Sequence, residues 1–210
     1  MKNIKNDVNL CFITDDGYIN PTIVALCSIK KNMKETTRYH VYLLCDDVSS
    51  VSKEKIRSIS SDRLIIECID MDLISSIRDN AISGITATPS SLYKFYIAEI
   101  LKDIDRVIFL DGDIIVQEDL SSLYNIDLEG KQIGAVKDVV GMTFVNNGDP
   151  NFSYFNSGIL LMDLDEMRKN NCASKAMEYR KNGINERMDQ DALNYVFKDN
   201  VKILPFKWNT

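Results

Sequence analysis

Apolar positions along the chain fall in short runs of strand character that alternate with amphipathic stretches of helical spacing. VNLCFIT (8–14) is a β-rich run that ends at Asp15 and Asp16. Ile23, Leu26, Cys27, Ile29 and Met33 then recur at helical spacing, and Asn20-Pro21 reads as an N-cap followed by proline at the first helical position. YHVYLLC (39–45) is a second strand and LIIECI (64–69) a third. Between them lies SSVSKEKIRSISS (49–61), a polar helix with an apolar stripe at Val51, Ile56 and Ile59. A second proline-capped helix begins at Thr88-Pro89 and runs through SLYKFYIAEIL; RVIFL (106–110) is the fourth strand. This βαβαβ alternation predicts an α/β domain with a mostly parallel, doubly wound sheet flanked by helices.

The second half is less regular. QIGAVKD (132–138) and GILLMDL (158–164) read as strands, separated by a loop containing Asn146, Asn147, Gly148 and Pro150. Helices follow at 165–181 and 189–198, and VKIL (201–204) is a last short strand. No repeat, low-complexity segment or linker divides residues 1–210, so one domain is expected.

Composition narrows the partners. Of 210 residues, 45% are hydrophobic and 27% charged, the profile of a soluble globular chain. A net charge of -6 argues against nucleic acid or anionic lipid as the main partner, because both need a basic face. MKNIKNDVNLCFI has no apolar signal core, and no run approaches the roughly 18 apolar residues of a membrane span. The cysteines (Cys11, Cys27, Cys45, Cys68 and Cys172) form no CxxC pair and read as reduced core thiols. A cytoplasmic protein is expected, with peripheral placement at the inner membrane face and weak self-association both left open.

Ligands of doubly wound sheets bind at the carboxyl ends of the strands. Asp15, Asp16, Asp46, Asp47, Asp70 and Asp111 all fall there, so one sheet edge is acidic. Within VIFLDGDIIV (107–116), Asp111 and Asp113 stand one residue apart. Asp-x-Asp alone is a weak signal: it recurs at Asp70/Asp72, Asp103/Asp105, Asp163/Asp165 and Asp189/Asp191, and an exposed turn explains it as well. Residues i and i+2 of a strand nevertheless point the same way, about 6.6 Å apart, so one cation could sit between the carboxylates. Gly112 leaves room for a ligand near the backbone. Oxygen ligands select hard cations such as Mg²⁺ or Mn²⁺. The lone histidine, His40, lies on a predicted strand far from this turn, which disfavours a zinc site or a Ser-His-Asp triad. Phosphate loops of the GxxxxGK[ST] or GxGxxG type are missing, so a diphosphate would have to rely on metal and helix N-termini.

Five segments then resemble the retaining glycosyltransferases of family 8, the group with glycogenin and the bacterial lipopolysaccharide glucosyl- and galactosyltransferases. They are NLCFITDDGYINPTIVALCSI, SSLYKFYIAEIL, RVIFLDGDIIVQEDLSSLYNIDLEG, YFNSGILLMDLDEMR and DQDALNYVF, in the family's order. The resemblance implies a GT-A nucleotide-diphospho-sugar transferase fold with a Rossmann-like sheet. It also implies UDP-glucose or UDP-galactose as donor, Mn²⁺ or Mg²⁺ as cofactor, and a saccharide or glycolipid acceptor, as in bacterial lipopolysaccharide biosynthesis. Carried over by position, Asp111 and Asp113 resemble the metal ligands, with Asp111 also near the donor. Ile13, Thr14, Asp15 and Tyr18 resemble the uridine pocket: backbone at Ile13, carboxylate to the uracil edge, tyrosine ring on the base. Gly17 stands where the family often has asparagine. Lys94 occupies the position that meets the sugar and diphosphate. Gly112, Asn156, Ser157, Asp189 and Gln190 complete the donor set, with Gln190 facing the anomeric carbon and Asp189, Gln190 and Asp111 as the catalytic candidates. By their local pattern alone, Asn156 is a turn residue and Asp189 a helix N-cap.

No residue stands out as a nucleophile for double displacement. A front-face route, with UDP leaving and the acceptor entering on one side, is consistent with an amide at Gln190. The family normally ends in a His-x-x-Gly-x-x-Lys-Pro-Trp pattern, and this chain stops at PFKWNT. The expectation is therefore weak Mn²⁺ and UDP binding by Asp111 and Asp113 alone, with transfer impaired. A nucleotide-sugar binder without turnover is one alternative. An aspartyl phosphatase of the haloacid dehalogenase type using Asp111 is another; against it, Ile115 stands where that motif has threonine and a βαβαβ unit precedes the aspartates.

Overall fold

The computed structural model describes residue 4 and residues 6–71, 92–145, 153–182 and 188–209. Thr88-Pro89 and the loop residues Asn146, Asn147, Gly148 and Pro150 lie outside the described residues. In chain order the elements are β1 (Asn6–Thr14), α1 (Ile19–Asn32), β2 (Thr37–Cys45), α2 (Ser50–Arg57), β3 (Leu64–Asp70), a 3-10 turn at Lys94–Tyr96, α3 (Ile97–Ile100) and β4 (Arg106–Leu110). They continue with α4 (Ser121–Tyr124), β5 (Ile133–Lys137), α5 (Val139–Val145), β6 (Phe155–Asp163), α6 (Leu164–Lys169), α7 (Cys172–Asn182), α8 (Met188–Phe197), β7 (Val201–Leu204) and a 3-10 turn at Phe206–Trp208. Residues 1–90 and 107–126 form one compact unit, and residues 91–106 and 127–210 a second.

In the first unit β3, β2, β1 and β4 lie side by side and all pair in parallel. Parallel strands covered on both faces read as continuous apolar runs. Val8, Leu10, Cys11 and Phe12 of β1 and Val107–Leu110 of β4 are accordingly buried. The register runs Thr14 to Cys45 to Asp70 across β1, β2 and β3, so these strands end in one row. That row carries Asp15, Asp16, Asp46, Asp47 and Asp70, the acidic edge expected from the strand ends.

Helix α1 starts earlier than its proline implied. Its N-cap is Tyr18 rather than Asn20, and Pro21 sits in the first turn. A helix's first N–H groups have no partner within it, so proline is tolerated at several of these positions. Ser49 caps α2 by accepting from Ser52 N–H. Of the stripe expected on that helix, Ile56 and Ile59 are buried, but Val51 is 62% exposed because it lies in the first turn, off the packed face.

In the second unit β5 pairs antiparallel with β6 and parallel with β7. The helix expected over 165–181 is two helices, α6 and α7. Asn171 stands between them with φ 52, a left-handed conformation that asparagine accepts and a continuous helix does not. Helix α5 was not anticipated, and the helix expected to run to residue 101 is helical over 92–100, with a 3-10 turn at Lys94–Tyr96 before the short α3. The Arg168 guanidinium donates to the carbonyl oxygens of Ala98 (3.0 Å), Leu101 (3.3 Å) and Ile104 (3.2 Å), so it ties the end of α3 to the turn that follows it.

All five cysteines are free thiols. Cys11, Cys45 and Cys172 are buried as expected. Cys27 is exposed, on the outer side of α1, and Cys68 is half-buried on β3.

Candidate functional site

The expected site residues fall into two clusters, one in each compact unit. In the first, Ile13 and Thr14 finish β1 and the chain turns through Asp15. The Tyr18 N–H donates to Asp15 Oδ1 at 2.8 Å and to the Asp15 carbonyl at 3.1 Å. Asp15 thus fastens the turn as well as presenting a carboxylate at the strand end. Thr22 Oγ1 donates to the Tyr18 carbonyl at 2.9 Å and lies 3.1 Å from Thr14 Oγ1.

The register of β1 against β4, Leu10 to Ile108 and Cys11 to Phe109, carries the end of β4 alongside the same turn. Gly112 follows with no room to spare: a Cβ there would lie 2.7 Å from Thr22 Oγ1. Glycine at this position lets the Asp-Gly-Asp backbone approach α1. The Tyr18 hydroxyl then donates to Asp113 Oδ2 at 3.1 Å, joining residues 95 apart in sequence. That hydrogen bond, with the charges of Asp113, Asp111 and Asp15, pushes the Tyr18 phenol above its ordinary pKa. The charges of three carboxylates therefore act on one hydroxyl, and Asp113 is the one bonded to it.

This donor set fits a hard divalent cation. The oxygens of Asp111 and Asp113 are of the right kind, and the negative charge felt at Tyr18 is what a cation would relieve. Among the described residues no group of three or more His, Cys, Asp or Glu side chains is placed to hold a metal. A cation here would need further oxygens from its anionic ligand and from water, the usual arrangement for metals carried on phosphates.

The second cluster is more tightly bonded. Lys94 is buried; its Nζ pairs with Asp189 Oδ2 at 2.7 Å and donates to the Ser157 carbonyl at 3.1 Å. Ser157 Oγ also donates to Asp189 Oδ2, at 3.2 Å. Burying one charge without the other would be costly, so the Lys94–Asp189 pair fixes the start of α8 against β6. Gln190 is held at both ends of its amide. Its Oε1 accepts from Ser157 N–H at 3.1 Å, and its Nε2 donates to Asp138 Oδ2 at 2.9 Å. Asn156 Oδ1 accepts from Gly158 N–H and from Asn209 Nδ2, both at 2.8 Å; the residue lies in strand β6 rather than in the turn its local pattern suggested.

The structure thus brings Ile13, Thr14, Asp15, Tyr18, Asp111, Gly112 and Asp113 together in one unit, and Lys94, Asn156, Ser157, Asp189 and Gln190 in the other. Sequence reasoning missed Asp138 and Asn209. Asp138 carried the same signal as Asp15, an aspartate closing an apolar strand. Asn209 carried none, because its partner is 53 residues away.

Solved structures with the same chain path define the fold. The chain superposes on the apo structure of the bifunctional glycosyltransferase WbbM with a TM-score of 0.84 at 23% identity, over 96% of this chain and 39% of that one. It superposes on galactosyltransferase LgtC in complex with donor and acceptor sugar analogs with a TM-score of 0.78 at 21% identity, over 95% and 74%. The fold is the α/β GT-A fold of glycosyltransferases. A sequence model of glycosyl transferase family 8 matches residues 9–210, and the chain belongs to that family.

Among its relatives, general stress protein A of Bacillus subtilis (strain 168) is 27% identical over 93% of this chain and 71% of its own length. Glycosyltransferase GlyF of Streptococcus pneumoniae serotype 4 is 28% identical over 96% of this chain, which spans 48% of that protein. Lipopolysaccharide 1,2-glucosyltransferase of Escherichia coli (strain K12) is 25% identical over 99% of this chain, which spans 63% of it. Among the described residues no helix is long and apolar enough to cross a membrane.

Proposed function

We propose that this family 8 glycosyltransferase moves a hexose, glucose or galactose, from a UDP-sugar to a saccharide or glycolipid acceptor, with retention and with Mn²⁺ or Mg²⁺ as cofactor. What supports the reading most is the Tyr18–Asp113 hydrogen bond. It joins an exposed aromatic ring, suited to stacking on a base, to the carboxylate pair suited to the cation of a diphosphate.

In this reading the first cluster takes the nucleoside diphosphate. The Tyr18 ring stacks on uracil, the Ile13 backbone and the Asp15 carboxylate meet the base edge, and Thr14 and Gly112 let the backbone approach. Asp111 and Asp113 would hold the cation, which offsets the charge developing on the departing diphosphate. The second cluster takes the transferred hexose. Lys94 and Asp189 supply a paired cation and carboxylate for sugar hydroxyls and diphosphate oxygens, with Asn156 and Ser157 beside them. Gln190, pinned by Asp138 and Ser157, presents a fixed amide to the anomeric centre. An amide is a poor nucleophile, so retention follows from a front-face departure and entry rather than from a covalent glycosyl-enzyme. Lipopolysaccharide 1,2-glucosyltransferase among the relatives supports an acceptor that is itself a sugar chain.

The test is thermal stabilisation of the chain by UDP with and without Mn²⁺. Ligand near 100 times its Kd stabilises a fold by about 2.7 kcal/mol. A shift that needs both components is expected; no shift at saturating concentrations of both would remove the reading.

A further inference from the structure

Around the start of β6, Tyr154, Phe155 and Ser157 all bond to α8. The Tyr154 hydroxyl donates to Asp191 Oδ1 at 2.5 Å. Phe155 exchanges two bonds with Asn194: its N–H donates to Oδ1 at 2.8 Å, and its carbonyl accepts from Nδ2 at 2.9 Å. The Ser157 N–H donates to Gln190 Oε1 at 3.1 Å. Asn156 is the exception. Its side chain accepts from Asn209 Nδ2, on the turn that follows β7.

The residues after β7 deliver that amide. Leu204 of β7 lies opposite Val136 of β5, and Lys137 of β5 lies opposite Phe155 of β6. Strand β7 therefore ends level with the start of β6, with β5 between them. Pro205 closes the strand, and the 3-10 turn Phe206–Trp208 packs on β5. Trp208 is buried and anchors the turn, with Lys207 Nζ 4.2 Å from its ring centroid. The Trp208 N–H donates to the Pro205 carbonyl at 3.1 Å, and the Asn209 N–H to the Phe206 carbonyl at 3.0 Å. A turn held in this way brings Asn209 to a strand residue 53 positions earlier.

An amide oxygen has two lone pairs. Asn156 Oδ1 commits both, to Gly158 N–H and to Asn209 Nδ2, each at 2.8 Å. Its Nδ2 has no hydrogen-bond partner among the described residues. What Asn156 keeps for a ligand is an NH₂ group, which donates and cannot accept. Without Asn209 the oxygen is held by Gly158 alone, and the amide is freer to turn.

We propose that Asn209 is a positioning residue for the transferred hexose: it commits Asn156 to donating, so the donor sugar must carry a hydroxyl oxygen where Asn156 meets it. The inference rests on the reading of Asn156 as a hexose-binding residue. It gives a part in sugar specificity to a side chain that acts only through Asn156. A site built to hydrogen-bond a substrate hydroxyl rejects the analogue that lacks it, because the site's own polar group is then left unpaired.

The experiment is calorimetric titration of the full chain, in the presence of Mn²⁺, with UDP, UDP-glucose, UDP-galactose and their monodeoxy analogues. The parent chain is expected to bind one monodeoxy analogue more weakly than the intact UDP-hexose. Asn209→Ala lowers the ratio of UDP-hexose to UDP affinity about three- to tenfold, the worth of one hydrogen bond. It leaves UDP affinity as it was and shrinks the penalty for that same analogue. Asn209→Asp keeps the shape but cannot donate when ionised, so it lowers the ratio at least as far. Equal losses for UDP and UDP-hexose, an unchanged ratio in Asn209→Ala, or a parental ratio in Asn209→Asp overturns the proposal. A parent chain that binds UDP and discriminates against no deoxy analogue overturns it while leaving the nucleotide site standing. A parent chain that binds no UDP removes the proposed function as well. Each ratio is taken within one protein, so a loss of folded fraction in a variant does not imitate the expected result.

Discussion

Gln190 Nε2 donates to Asp138 Oδ2 at 2.9 Å while Gln190 Oε1 accepts from Ser157 N–H at 3.1 Å. The two partners fix which way the amide faces, because a carboxylate only accepts and a backbone N–H only donates. Asp138→Ala removes one of these anchors and touches neither the nucleotide cluster nor the cation ligands. The expected outcome is a fall in kcat on the order of 10²-fold, the scale of a misplaced catalytic group, with UDP affinity unchanged. Steady-state transfer kinetics alongside a UDP titration checks it. A loss that appears in UDP affinity alone would show that Asp138 serves the nucleotide instead.

The Tyr18 ring and hydroxyl make separable contributions. Tyr18→Ala removes the surface for the base, and loss of base–aromatic stacking costs about 1–3 kcal/mol, so UDP affinity should fall roughly 5- to 150-fold. Tyr18→Phe keeps the ring and removes only the hydrogen bond to Asp113. Its UDP affinity without metal should match the parent chain, and any loss should appear only with Mn²⁺ present. Calorimetric titration of the two variants, with and without Mn²⁺, separates the effects. Equal losses in both would mean that the ring does not carry the base.

Most of the strand framework was legible because parallel strands buried on both faces are short, continuous apolar runs. RVIFL at 106–110 coincides with the buried β4; VKIL at 201–204 coincides with β7, an only partly buried strand at the end of the sheet. Helix ends were less so. Asn20-Pro21 resembled a cap, yet the turn is fastened by Asp15 and Tyr18, a bond that becomes visible only once the strand end is placed. Gln190 could be singled out by resemblance, but its anchoring to Asp138 spans 52 residues and leaves no local pattern.

Gly112 is required by packing rather than by its dihedral angles. A Cβ there would meet Thr22 Oγ1 at 2.7 Å, and Thr22 is fully buried and bonded to Tyr18 and Thr14, so it has no place to go. Gly112→Ala should destabilise the fold by about 1–3 kcal/mol, the usual cost of overpacking. Adding Thr22→Ala removes the obstructing oxygen, so the double variant should lose less than the sum of the two single losses. Urea unfolding of the four proteins measures this coupling. Strict additivity would show that the glycine matters for another reason.

Asp119 gives the fold a defined acid limit. It is buried after β4, and its Oδ2 accepts from Lys34 N–H at 2.8 Å and from the Tyr39 hydroxyl at 3.1 Å. Its Oδ1 accepts from Ser121 N–H at 3.0 Å and from the Ser121 hydroxyl. Burial opposes ionisation, but the donors of Lys34 and Ser121 outweigh it and hold the carboxyl below its ordinary range. A carboxyl with a lower pKa folded than unfolded contributes stability above the unfolded value, about 3.9, and loses that contribution as pH falls through the folded value. Asp119→Asn keeps the shape but turns an NH₂ group toward N–H donors, so it should cost about 1–3 kcal/mol at pH 7. The difference between variant and parent should narrow as pH drops below about 4, because the parent loses the charge that the variant never had. Urea unfolding of both proteins at pH 7 and pH 3 tests this, and a pH-independent difference would show that the ionised carboxylate is not what holds Lys34, Tyr39 and Ser121 together.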